Sequence, residues 1–327
     1  MLPPLLIVNP KSGTRGRSGD LAAALERVEQ VLGDVVIRYT ARRGHARELA
    51  RYGVADGHPL IIAVGGDGTF SEVASGVLEA EAPVGSEGAS FGPGPVGPTK
   101  TAVGLIDLGT GGDFRRSLGI GAGYEACIAA LALGRDRAVD VGSARFRSAE
   151  GDTVHRYFVN VLSAGLGGLV DRYVETMPSF LGGRIGYYLA ALRAVAASKE
   201  QELSARVTWQ GESREEVIPA YLVAICNGRW FGGGMDVAPM ALPDDGRFEV
   251  VTVTSPTKPY LAKQVRTVYT GRHLEEPTVH HFPCERIELR IGDPRVERGF
   301  LLDVDGEALG SLPLSVEVLP ARLRVRC

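Results

Sequence analysis

Short apolar runs alternate with helix-spaced apolar positions through the first part of the chain. Leu5 to Val8 reads as a buried strand, and Leu21, Leu25, Val28 and Leu32 then fall on one helical face. Val35 to Tyr39 predicts a second strand closed by Thr40, and a short helix spans about Ala46 to Tyr52. The third strand, Leu60 to Val64, leads into a helix with Phe70, Val73, Ala74 and Val77 inward. A fourth strand covers Ala102 to Leu108, and a helix from Tyr124 to Leu133 stops at Gly134. Strand–helix alternation of this kind predicts a parallel sheet with helices on both faces. Ligands bind beyond the carboxyl ends of the strands in such sheets, where Asn9, Thr40 and Asp67 fall.

A new element begins at Ala138-Val139-Asp140-Val141, and the pattern then shifts towards strands. Tyr157–Leu162, Ala205–Trp209, Val217–Cys226, Phe248–Thr254, Thr278–Phe282, Arg286–Ile291 and Leu314–Leu319 alternate or run apolar. Helical spacing interrupts them at Ile185, Leu189, Leu192 and Val195, and at Leu261, Val265 and Val268 before Gly271. The expected architecture is an α/β domain with a parallel sheet over residues 1–140, then a mainly β-sandwich domain over 141–310. Residues 311–327 supply further strands that return to the first domain. Glu81 to Lys100, dominated by Gly, Pro, Ser and Ala, is expected to be a mobile surface insertion.

Composition narrows the function classes. A net charge of −3, with 44% hydrophobic and 23% charged residues over 327 positions, suits soluble domains and gives nucleic-acid binding no basic surface. Cys127, Cys226, Cys284 and Cys327 lie far apart, as expected of reduced thiols in a cytoplasmic protein. The start lacks the cationic lead of a signal peptide, and no apolar run is long enough to span a bilayer. Any membrane contact is therefore expected to be peripheral.

The chemistry concentrates at glycine-rich corners. Gly65-Gly66-Asp67-Gly68-Thr69 joins the third strand to its helix, where glycines expose backbone N–H groups and the helix start favours phosphate. Asp67 orders the loop, partners magnesium beside phosphates, or is simply the helix N-cap. Gly109-Thr110-Gly111-Gly112-Asp113 forms a second such corner, able to face the same phosphate chain. Neither satisfies the Walker or dinucleotide fingerprint. Asp303, Asp305 and Glu307 would share one face of an extended strand, as a solvated edge or as a cation or proton-transfer site. Asp244-Asp245-Gly246 is a turn by composition and a second candidate cation site.

Taken together, these segments resemble the diacylglycerol kinase catalytic family, in particular its bacterial lipid-kinase branch, which is similar to sphingosine and ceramide kinases. The resemblance rests on V-N-P-K-S-G at Val8–Gly13, G-G-D-G-T-F-S-E-V at Gly65–Val73, L-G-T-G-G-D-F-R-R at Leu108–Arg116 and D-V-G at Asp140–Gly142. It continues with G-G-G-M-D-V-A-P at Gly232–Pro239, D-D-G at Asp244–Gly246 and D-G-E at Asp305–Glu307. It implies ATP-dependent phosphorylation of a lipid hydroxyl, with magnesium, in a cleft between the domains at the membrane surface. By position, Asn9, Pro10, Lys11, Ser12, Gly13, Thr40, Gly66, Asp67, Gly68, Thr69, Phe70, Ser71, Glu72 and Thr110 would hold ATP. Asp67, Asp113 and Asp140 would organise a Mg2+-linked site, and Asp245 with the Leu242 and Arg247 carbonyls a second, structural one. Glu307 would be the general base with Asp305 beside it, and Trp230, Phe231 or Gly165 to Leu169 would wall the acyl chains.

The pattern departs from the family at Ser71 and Gly112, where asparagine is common, and at Leu108, where proline often stands. Losing two amides removes hydrogen bonds, which leaves open a weaker ATP site or an altered donor. Three readings follow: a lipid kinase, a soluble small-molecule kinase of NAD-kinase type, or a degenerate nucleotide- or lipid-binding protein. The lipid and the oligomeric state are open, a homodimer included.

Overall fold

A computed structural model describes residues 2–12, 20–82, 97–176 and 184–327. Gly13 and most of the 81–100 insertion therefore lie outside the described residues. The chain divides into two compact units, Met1–Val141 with Leu319–Cys327, and Gly142–Val318.

In the first unit the elements run β1 (Leu5–Val8), α1 (Asp20–Leu32), β2 (Val36–Tyr39), α2 (His45–Asp56), β3 (Leu60–Gly65) and α3 (Asp67–Ala80). Then follow β4 (Ala102–Asp107), α4 (Asp113–Ser117), α5 (Tyr124–Ala132) and the first half of β5 (Asp136–Arg147). The sheet order is β2-β1-β3-β4, all parallel, as the strand–helix alternation requires. Alternate residues of its strands serve opposite faces. Leu6, Val8, Ile62 and Val64 pack with Ala24, Val28, Ile128 and Leu131 of α1 and α5. Leu5 and Ile61 meet α2 at Gly53, where a Cβ would stand 3.0 Å from Ile61 Cδ1. Both faces are covered, so the strands read as unbroken apolar runs.

The second unit holds β6 (Thr153–Phe158), β7 (Val161–Gly165), α6 (Leu166–Glu175), α7 (Arg184–Ala197), β8 (Gln201–Trp209), β9 (Glu212–Ala220) and β10 (Leu222–Cys226). After these come β11 (Trp230–Phe231), β12 (Met235–Asp236), β13 (Phe248–Val253), α8 (Lys258–Thr267), β14 (Val279–Cys284), β15 (Arg286–Arg290), α9 (Pro294–Gly299), β16 (Leu301–Val304) and β17 (Glu307–Arg326). Strands β14-β13-β10-β7-β16-β17 pair antiparallel, and β17 continues onto β15, then β8 and β9. A core including Phe146, Phe158, Phe248, Leu302 and Leu314 fills the sandwich, with Phe158 and Phe248 stacked at 5.5 Å. Helices α6, α7 and α8 pack on a second apolar layer with Val161, Ala224 and Val251.

Three expectations change. The segment Val217–Cys226 is two strands, because Tyr221 donates to Val253 O and accepts from Leu166 N–H between them. The final segment joins the first unit from Leu319 rather than 311, since Leu314 to Glu317 pair with β15. The D-x-D-x-E stretch is no extended strand. Asp305 and Gly306 have φ of 51° and 85° and make a two-residue hairpin turn, with Val304 opposite Glu307. An Asp-Gly pair is a strong signal for such a turn, and it outweighs strand periodicity here.

Candidate active site

The two glycine corners meet in the first unit. Helix α3 starts with Gly66 as N-cap, and its first closed bond runs from Phe70 N–H to Gly66 O. The N–H groups of the preceding turn have no acceptor within the helix. Gly109 of the second corner presses on the first, since a Cβ on it would stand 2.7 Å from Gly66 Cα. Asn9 sits alongside, donating to Thr69 Oγ1 at 3.4 Å and accepting from Lys11 N–H at 3.0 Å. Thr40 N–H bonds Val8 O, which places it at the same strand ends. Gly68, Thr110, Pro10 and Lys11 are exposed there, with Ser12 and Ser71 half-buried.

Asp67 is not an N-cap for its own helix. Its oxygens accept the N–H groups of Asp113 and Phe114, both at 3.1 Å, and so cap α4, whose own N-cap is the left-handed Gly112. Glu72 does the same for α2, accepting Gly44 N–H at 2.9 Å and Ala46 N–H at 3.0 Å. Both capped helices begin at glycine, which carries no side-chain acceptor. Glu72 is thus turned away from a ligand at the corner and towards α2. The Phe70 ring is fully buried and stacked on Phe114 at 4.9 Å, which leaves only its backbone for a ligand.

Magnesium sites of this kind need one or two carboxylates, with phosphates and water completing the shell. Asp67 and Asp113 fit, since a Cβ on Gly111 would stand 2.6 Å from Asp67 Oδ2 and 3.7 Å from Asp113 Oδ2. Asp113 Oδ1 also takes a 2.7 Å bond from Arg116. Asp140 does not join them: its Oδ1 accepts Ala321 N–H at 2.7 Å and holds the returning strand. Among the described residues, no three His, Cys, Asp or Glu side chains gather as a metal group. At the second proposed set, the Asp245 carboxylate faces the Arg247 guanidinium, 3.0 Å away. Arg247 also faces Glu249 at 3.3 Å, and burial pushes both carboxyls up.

Asp107, and its pairing with Arg115 of the second motif, went unnoticed in the sequence. Their ion pair, 2.9 Å long and buried on both sides, lies under the second corner. Asp107 Oδ1 accepts Gly109 N–H at 2.9 Å, and Arg115 donates to Ile120 O at 2.7 Å. Burial raises the Asp107 carboxyl, with the charge of Asp67 adding to the shift and Arg115 opposing it. Only an acid and a base eight residues apart across a glycine corner hinted at this in the sequence.

In the second unit, Asp305 ties its hairpin to the start of β7. It accepts N–H bonds from Val159 at 2.9 Å and from Asn160 and Val161, both at 3.0 Å. Asn160 Nδ2 donates to Trp230 O and Asn227 Nδ2 to Val159 O, each at 2.8 Å, so three strand ends lock together. Asp303 accepts Gly306 N–H at 2.7 Å. Glu307 opens β17, half-buried, directly after this anchored turn. Asn160 and Asn227 were also missed, since nothing local to either marks it.

The second unit also contains an apolar cavity of about 80 Å³, walled by Leu166, Val170, Leu222, Phe231, Leu261 and Val265 among others. Phe231 and Leu166 stand among the residues expected to wall acyl chains, whereas Trp230 stacks under Arg229 at 4.6 Å instead. His273 borders the cavity, its Nε2 bonded to Val237 O at 2.9 Å, and burial pulls its pKa below the usual histidine value.

Known proteins share this fold and this order of domains. Residues 3–144 match the diacylglycerol kinase catalytic domain, and residues 160–327 match the YegS C-terminal NAD kinase beta sandwich-like domain. A "Probable lipid kinase YegS-like" of Chromohalobacter salexigens is 31% identical over 76% of this chain and 70% of its own length. A "Diacylglycerol kinase" of Bacillus subtilis is 26% identical over 94% of this chain and 90% of its own. The crystal structure of a diacylglycerol kinase from Bacillus anthracis shares the fold, with a TM-score of 0.66 at 22% identity over 99% of this chain and 96% of that one.

Proposed function

The chain belongs to the family that joins a diacylglycerol kinase catalytic domain to a YegS C-terminal domain, and from that premise we propose that it phosphorylates a lipid hydroxyl with ATP. The observation that favours a lipid over a soluble acceptor is the apolar lining of the second unit's cavity, which offers a nucleoside little to bond. In this reading the substrate is met by peripheral contact at the bilayer surface; no described helix is long and apolar enough to cross a membrane.

In this reading the backbone N–H groups of the two corners hold the phosphates of ATP, and Asn9 and Thr69 order the loop beside them. Asp67 and Asp113 would hold Mg2+, which when bound neutralises phosphate charge. Glu307 takes the proton of the lipid hydroxyl as its oxygen bonds the γ-phosphorus and the bond to the ADP oxygen breaks. Asp305, saturated with backbone donors, positions the hairpin that carries Glu307.

The test is purified protein with labelled ATP, magnesium and mixed lipid vesicles, the products identified by mass spectrometry. A phosphorylated lipid that disappears in Glu307→Gln and in Asp67→Asn is the expected result. Phosphorylation of soluble nucleotides alone, or ATP binding without turnover, would overturn it in favour of the other two readings.

A further inference from the structure

Gly112 stands at φ 64° and ψ 35°, in the left-handed region that glycine and asparagine enter with least strain. The backbone would therefore admit asparagine, but the space would not. A Cβ there would overlap Asp107 Oδ2 and stand 2.9 Å from Arg115 Nη2 and 3.1 Å from Arg115 Nε. We propose that Asp107, Gly112 and Arg115 act as one positioning unit for the nucleotide corner, the ion pair filling the volume that a side chain at 112 would take.

This inference rests on the kinase reading for its role and on geometry for its existence. The pair binds three separate segments: the end of β4 through Asp107, the corner through Gly109 N–H, and the loop after α4 through Ile120 O. The corner it holds lies against Gly66, so a shift of one corner moves the other. Arg115 also cancels the charge of Asp107, which would otherwise repel a phosphate chain close to Asp67. Each partner needs the other. An unpaired buried acid or base is costly, whereas replacing both partners leaves no charge unpaired. The glycine at 112 is thus matched to its neighbours, and its lack of an amide is no mark of a degenerate site.

The experiment is a set of full-length variants: Gly112→Asn, Asp107→Ala/Arg115→Ala, and the triple variant carrying all three changes. Thermal midpoints are measured without ATP, and kcat/KM for ATP with lipid vesicles. Gly112→Asn alone should lower the midpoint by about 3 °C or more, as overpacking does in a unit of this size. It should also lower kcat/KM for ATP about a hundredfold, the cost of a small misplacement. In the background lacking the pair, the same change should cost little on either measure. Equal midpoint losses in both backgrounds, or none in either, would overturn the unit. A midpoint cycle as expected with kcat/KM unchanged throughout would overturn its positioning role. Failure of the wild type to bind ATP would instead overturn the kinase reading, while the midpoint cycle still decides whether the unit exists.

Discussion

A carboxylate that accepts three backbone N–H groups has few lone pairs left for a substrate, and Asp305 is such a group. Glu307, two residues on, is the group assigned the proton transfer. The two should therefore separate under mutation. Glu307→Gln should abolish turnover with stability nearly unchanged, whereas Asp305→Asn should cost on the order of 2–4 kcal/mol in urea unfolding, from weakened charge-assisted bonds. His273 gives a pH dependence of definite sign. Its folded pKa lies below the unfolded 6.5, so the stability it contributes is present above that value and lost as pH falls through the folded pKa. Thermal midpoints should decline below about pH 6.5, and less so in His273→Gln, which keeps a donor for Val237 O. The sequence made Asp67 and Glu72 visible as acids beside glycines. It could not say which helix each one caps, because Asp67 meets its partner 46 residues away.

Helix α3 works as a bolt between two neighbours, with Asp67 fixing the start of α4 and Glu72 the start of α2. Replacing Glu72 with alanine should cost about 1 kcal/mol, the usual value of a helix cap, as read by chemical denaturation. If capping is its whole role, the ATP dissociation constant should stay within about twofold of wild type, since a cap's loss acts on stability first. Elements of this kind were partly legible. The parallel strands stand out because burial on both faces makes them continuous apolar runs, as at Leu60–Val64. Helix α6 did not stand out, for Leu166-Gly167-Gly168 begins it with two weak helix formers. The hairpin at Asp305-Gly306 was hidden by the alternation of acids around it, although the dipeptide itself named the turn.

Across the whole molecule, the division of labour follows composition. The first unit carries glycine corners and acids, and the second an apolar cavity of about 80 Å³. Filling that cavity with Leu261→Trp should remove lipid phosphorylation yet leave ATP binding intact, which calorimetry and the vesicle assay would show together. The fold class was legible from the change in periodicity near residue 140, but the cavity was not, because its walls come from α6, α8, β10, β13 and β14. Strand β17 has a consequence of another kind. Val325 pairs with Val103 of β4, and Arg324 N–H bonds Thr99 Oγ1 across 225 residues of sequence. A ribosome releases the chain from the amino end, so the nascent first sheet waits with its β4 edge bare until all of the second unit has been made. During synthesis that edge is where a chaperone would find its grip.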